Sequence, residues 1–286
     1  SHTFPRVTKE IPEETAEIKP HPYGVELGVL MQMFRDTKAR NLRSCLSGDF
    51  SRVSSKTALA IYQGLRALHP DAHCELDHTS AFELLVATVL SAQTTDKLVN
   101  KATPALFRTY PNTPSLARAD PAAVAQLLRA GGLGMYNQKG KNIVGLGRRL
   151  VRGLAVVVPP VEHHAGEVPG RLEQLVALPG VGRKTANVVL GVAFHAPEGV
   201  VVDTHVMRLS QRLGLSSNTS PETIEQDLCA LFPRAEWDML SHTLIFHGRR
   251  ICFARKPACS GCGVRALCPS AYAAEHVGRK PPRARP

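Results

Sequence analysis

Four cysteines fall within 17 residues near the end of the chain, in CFARKPACSGCGVRALC: Cys252, Cys259, Cys262 and Cys268. No other feature restricts the fold so tightly, because four thiolates can share one centre only if the chain closes around it. Gly261 and Gly263 permit that bending. The spacing is C-x6-C-x2-C-x5-C. Structural zinc sites made of four cysteines usually pair two short knuckles across a longer loop, and only one knuckle is present here. Unevenly spaced ligands better suit a cubane that takes one cysteine per iron, so the pattern favours a [4Fe–4S] cluster over zinc. A disulfide framework is the third alternative. It belongs to oxidising compartments, and the first 20 residues hold no apolar secretion signal. Cys45, Cys74 and Cys229 stand apart and read as small buried apolar residues.

The formal net charge of +11 points to an anionic partner. Most of the excess surrounds the cysteines: residues 249–286 hold nine Lys/Arg against Glu275 alone, whereas residues 1–50 balance seven of each sign. Arg255 and Lys256 lie between the first two cysteines. A loop pinned by a centre at both ends would present those charges at fixed spacing, as phosphate contacts require. No stretch approaches the roughly 18 to 20 apolar residues that cross a bilayer, so no membrane partner is expected.

Helical periodicity dominates and alternating strands are absent, which predicts an all-α fold. SSKTALAIYQGLRALHP stops at Pro70, SAFELLVATVLSAQ is apolar on every face and so buried, and TTDKLVNKATPALFRTYP runs to Pro111. Asp120 caps a helix with Pro121 at its first position, ended by Gly131 and Gly132. Further helices are predicted to about Gly153, from Arg171, through RKTANVVLGVAF, from Asp203, from Ser220-Pro221 and over AEWDMLSHTLIFHGRR. Residues 1–50 read as a partly disordered extension, 154–166 as a loop insertion and 277–286 as a disordered basic tail.

Residues 178–184, LPGVGRK, form a turn that leads into a helix. Gly180 and Gly182 let backbone N–H groups approach a ligand closely, and a helix start is a ready anion site. With GRLEQLVAL before it, the segment reads as a helix-hairpin-helix, in which Leu178, Gly180, Gly182 and Arg183 are candidate DNA contacts. Lys184 lies in the first turn, where a cation is disfavoured by the macrodipole. That placement suits a lysine that must act as a free amine, and the charge of Arg183 beside it would help. Alone, Lys184 would more often read as a phosphate ligand, and Asp203 as a helix cap and nothing more.

LPGVGRKTANVVL, followed by VDTH and then by the cysteine pattern, resembles the endonuclease III family of DNA glycosylases. The resemblance spans about residues 56–272, including SAFELLVATVLSAQTTD and YNQKGKNI. It implies a two-domain helix-hairpin-helix glycosylase fold, with a barrel-like helical domain at 74–197. An iron–sulfur cluster domain would be built from 51–73 plus 198–276. It also implies a monomer acting on double-stranded DNA that carries a damaged base or abasic site, cytoplasmic and nucleoid-associated if the source is bacterial. The implied activity is excision of oxidised pyrimidines, of the thymine glycol type, with AP-lyase cleavage. Lys184 matches the family's nucleophile and Asp203 its second essential residue.

Gln93 matches an inserted glutamine. Met135 falls where a leucine wedge is common, with Leu133 as the alternative, because this chain reads GLGMYN instead of GLYN. His205 is expected to be packed. Adenine glycosylases of the same superfamily carry a glutamate where this chain has Thr88 and lack the hairpin lysine. A non-catalytic DNA-binding protein would need neither Lys184 nor Asp203.

Overall fold

The computed structural model describes residues 55–152 and 166–277, together with Met31 and Arg35, both helical. The expectations for the N-terminal extension, the 154–166 insertion and the basic tail fall outside the described residues, apart from these two residues, Gly166 and Val277. Among the described residues there is no strand, and the all-α expectation holds. The described residues from 55 to 277 belong to one compact unit.

Eleven helices make up the described part of this unit: α1 (Ser55–Leu68), α2 (Ala81–Leu90), α3 (Asp96–Thr109), α4 (Thr113–Ala117), α5 (Pro121–Ala130), α6 (Tyr136–Arg152), α7 (Leu172–Val176), α8 (Arg183–Phe194), α9 (Thr204–Arg212), α10 (Pro221–Leu231) and α11 (Trp237–Arg250). α2 is the central rod. The Glu83 N–H donates to the Ser80 hydroxyl at 3.2 Å, and the Glu83 carboxylate accepts in return from the Thr79 N–H at 2.7 Å. Every residue from Leu84 to Leu90 is buried. A helix apolar on all sides must be surrounded, and α3, α6 and α8 pack around it. The resulting core runs from Leu76 to Leu190, with Leu84, Leu85, Leu90, Leu128, Leu146 and Leu175 fully buried. Each contributes about 1.5–3 kcal/mol of burial.

α4 and α5 lean on α6, and α7 leans on α8. The Ala122 N–H donates to Asp120 Oδ1 at 3.1 Å, which is the cap read from sequence. A second group forms where α11 packs against α1 and α9, with α10 against α9. α8 also touches α11, so the helix that starts at Arg183 is fixed against both groups.

Candidate active site

The hairpin begins where α7 ends. The Leu178 N–H donates to the Leu175 carbonyl at 3.0 Å and the Val181 N–H to the Leu178 carbonyl at 3.1 Å. Leu178 and Val181 are buried in the core, so Leu178 can offer a partner only its backbone. Gly180 has φ +80°, and a Cβ there would meet Asn142 and Val89 at 3.2–3.3 Å, so the turn itself requires glycine. Gly182 differs: its φ is −96° and a Cβ would meet nothing within 4 Å. No side chain caps the start of α8, and its first turn holds no acid. Open amides beside a vacant surface are what an anionic backbone needs.

Lys184 projects from this first turn into a cleft of about 640 Å3 that Asp203, Thr204 and His205 also line. A smaller recess behind it is lined by Lys184, Asp203, Thr88, Ser91, Val188, Val201 and His242. The two residues singled out from sequence therefore meet across one cavity, although 19 positions separate them. Asp203 is at once a helix cap and a site residue. Its Oδ1 accepts from the His205 and Val206 N–H groups, both at 2.8 Å, while no hydrogen bond to its Oδ2 is made by the described residues. Thr88 Oγ1 donates to the Leu84 carbonyl at 2.7 Å and brings no carboxylate to the recess.

The cleft floor carries a second charged group. Arg249, at the end of α11, pairs with Glu75 and, at 2.8 Å, with Asp96 at the start of α3. His205 is half-buried, and desolvation pushes its pKa below the ordinary histidine value. Arg208 Nη2 reaches His205 Nδ1 at 3.2 Å, the Gly248 carbonyl at 2.9 Å and the Cys252 carbonyl at 3.1 Å. His205, read from sequence as a packed histidine or a backbone contact, is packed against Arg208 and also lines the cleft.

Two loops carry the candidate duplex-entering side chains. Gln93 (φ 54°) and Met135 (φ 53°) both adopt left-handed backbone without being glycine, and both are exposed. Such a conformation costs about 1–2 kcal/mol and persists at sites where it serves a purpose. Met135 is 51% exposed, whereas Leu133 is 3% exposed and packed in the core, so Met135 is the side chain free to enter a duplex. Buried Lys139 holds the loops together, its ammonium donating to Thr94 Oγ1 at 2.5 Å.

Arg183 is placed otherwise than as a free phosphate ligand. Its Nε and Nη2 donate to the Glu225 carboxylate at 2.9–3.1 Å. The fork is occupied and its charge neutralised, so Arg183 cannot supply Lys184 with the uncompensated positive field expected from the sequence.

Cys252, Cys259, Cys262 and Cys268 line one small cavity, otherwise walled largely by Leu213, Ile251, Pro257, Ala258, Ala271 and Ala274. Among the described residues no three Cys, His, Asp or Glu side chains converge as a single ion would demand. Burial raises the Cys262 thiol and pushes Cys268 up to about 11, so thiolates would form there only with a compensating positive centre. Arg212 is fully buried beside them. It donates to the carbonyls of Phe253 (2.7 Å), Ala254 (3.0 Å) and Val277 (2.9 Å), and to Cys252 Sγ at 3.3 Å. A buried cation with no carboxylate in that set fits an anionic thiolate centre. The loop between the first two ligands is exposed through Arg255 and Lys256, and Lys256 has φ 50°.

A family model described as the HhH-GPD superfamily base excision DNA repair protein matches residues 86–234. Endonuclease III of Synechocystis sp. is 50% identical over 209 residues, covering 73% of this chain and 90% of its own length. That of Bacillus subtilis is 41% identical over 202 residues, covering 70% and 86%. This chain belongs to the endonuclease III family. It is a DNA glycosylase with AP-lyase activity, working in base excision repair. A solved trapped endonuclease III–DNA covalent intermediate matches with TM-score 0.69 and 39% identity, covering 77% of this chain and 98% of that one.

Several residues of this glycosylase's cleft gave no signal in sequence. Arg249, Glu75, Asp96 and Ser91 line it, yet Arg249 and its acids are 153 and 174 residues apart. Asp96 could have been noted only as an acid in a helix first turn, and Arg249 only as a base in a last turn.

Proposed function

We propose that this glycosylase excises oxidised pyrimidines of the thymine glycol type from duplex DNA, as a monomer, with Lys184 as nucleophile and Asp203 as its partner. The observation that carries the reading is that Lys184 and Asp203 line the same cleft, Asp203 keeping its helix cap through Oδ1. The unprotonated amine attacks C1′ of an extruded nucleotide. The glycosidic bond breaks and the base departs with a proton. Opening of the sugar leaves an imine between Nζ and C1′, and loss of a C2′ proton then expels the 3′ oxygen, which cuts the strand. Asp203 Oδ2 stabilises the positive charge that develops on the sugar. Gln93 and Met135 fill the space the nucleotide vacates, and the open hairpin backbone at Gly180 and Gly182 seats a phosphate.

The four cysteines line one cavity, and their uneven spacing suits a [4Fe–4S] cluster, which they would hold with one thiolate per iron. When bound, the cluster fixes the loop that presents Arg255 and Lys256 to the duplex. The division into lobes at 74–197 and 51–73 plus 198–276 would place Lys184 and Asp203 on opposite walls. A bacterial member would work in the cytoplasm, on the nucleoid.

Borohydride trapping on a duplex carrying thymine glycol tests the reading. A covalent adduct in the native chain that disappears in Lys184→Ala is expected, together with about four irons per chain. Adduct only with a pre-formed abasic site would overturn the lesion class. No adduct with either would overturn the role of Lys184, and one zinc per chain would overturn the cluster.

A further inference from the structure

The two reacting groups reach the cleft on separate arms. Lys184 sits at the start of α8, and Asp203 ends the segment 199–203 that precedes α9. Glu225 on α10 is buried and touches both arms. Toward the first, its carboxylate accepts from Arg183 Nε at 2.9 and 3.1 Å and from Arg183 Nη2 at 2.9 Å. It also accepts from Asn187 Nδ2 at 3.2 Å. These partners stand immediately before Lys184 and three residues after it, on the same helix. Toward the second arm the contact is steric. A Cβ at Gly199 would lie 1.8 Å from Glu225 Oε1 and 2.7 Å from Asn187 Nδ2. From Gly199 to Asp203 the chain has little slack: Val200, Val201 and Val202 are buried, and the Val201 N–H donates to Ser241 Oγ at 2.9 Å.

We infer that Glu225 is a positioning residue that sets the separation of Lys184 and Asp203, gripping one arm through Arg183 and Asn187 and abutting the other at Gly199. The inference rests on Lys184 being the nucleophile. It accounts for a buried carboxylate that does not itself line the cleft, where desolvation is unfavourable unless its hydrogen bonds are filled. It also gives Arg183, the neighbour of the nucleophile, a role that does not involve DNA. A displacement of about 1 Å between reacting groups can cost roughly a hundredfold in rate. Loosening the grip should therefore appear in the covalent step and not in binding.

The test uses the full, cofactor-loaded chain and compares Glu225→Gln, Arg183→Met, the double variant and Gly199→Ala. Two quantities are read: the single-turnover rate of borohydride-trappable adduct on an abasic duplex, and DNA affinity as a function of salt. Each single variant should slow trapping by at least about tenfold, with affinity and salt slope unchanged. The double variant should be no slower than the worse of its two parents, because both remove one contact. Trapping by Glu225→Gln at the native rate, while the native chain traps normally, would overturn the inference and leave the role of Lys184 intact. A loss of affinity in Arg183→Met with a salt slope lower by about 0.9 would also overturn it, by assigning that side chain to a phosphate. Failure of the native chain to trap at all would remove the nucleophile and the inference with it. If Glu225→Gln does not fold, Arg183→Lys keeps the charge at a half-exposed position and gives up the fork. The same slowing is expected of it, and native-rate trapping would overturn the inference.

Discussion

The cleft and the cysteine cavity handle charge and burial in opposite ways. In the cleft Lys184, the proposed nucleophile, is exposed, and Gln93 and Met135 are held in left-handed backbone. In the cysteine cavity the surroundings are largely apolar, Cys262 is buried, and Arg212, which donates to Cys252 Sγ, is sealed from water. The first arrangement keeps groups available to a partner that arrives and leaves. The second suits a resident that stays. Stability is given up in one region and concentrated in the other, which is why the two should respond differently to the same kind of mutation.

The largest separation is expected between Lys184→Ala and Cys268→Ala. The first should lower covalent trapping by roughly a thousandfold or more while leaving the melting temperature in place, because an exposed side chain in the first turn of α8 holds little of the fold. If the cysteines hold the proposed cluster, the second should lose iron and melt several degrees lower, because metal binding at such a centre is coupled to folding. Equal melting temperatures for the two variants would break the contrast. A smaller effect of opposite sign is expected at Gln93. Gln93→Gly should raise stability by up to about 1 kcal/mol by relieving left-handed backbone, and should slow excision about tenfold by removing the side chain proposed to enter the duplex. Calorimetry and single-turnover excision on one preparation would check both signs. Lys256→Ala should leave the chemistry alone and reduce the slope of log affinity against log salt by about 0.9.

The smallest effect concerns pH. Burial depresses the pKa of His205, so the folded chain resists a proton that the unfolded chain accepts. Its contribution is complete above the ordinary histidine value near 6.5 and is lost as pH falls toward the lower folded value. His69 and His247 shift in the same direction through burial. His205→Gln should therefore reduce the acid sensitivity of the urea midpoint between about pH 7.5 and pH 5 without abolishing it.

What the sequence disclosed was local. Asp120 and Asp203 could be named as caps because each carboxylate bonds amides within three residues of itself. The burial of α2 followed from a run that has no polar face. The choice between Leu133 and Met135 was not legible, because it depends on which residue the core between α2 and α6 takes in. The pairing of Arg183 with Glu225 spans 42 residues, and nothing in either segment announces the other. Proximity to the hairpin therefore assigns Arg183 to DNA in a sequence reading, whereas α10 brings a carboxylate to it in three dimensions.

Gly180 and Gly182 lie two residues apart in one turn and would report on different things if replaced. Alanine at Gly180 distorts the turn and would be found by any screen for folded, heat-resistant protein. Alanine at Gly182 meets no neighbour within 4 Å and has a permitted backbone, so the free protein would register nothing. If the hairpin seats a phosphate as proposed, the harm would surface only when that phosphate tries to occupy the space. A collection of variants sorted by solubility or thermal shift would then pass Gly182→Ala as harmless, while a cell carrying it would make normal amounts of a repair enzyme that settles poorly on its substrate.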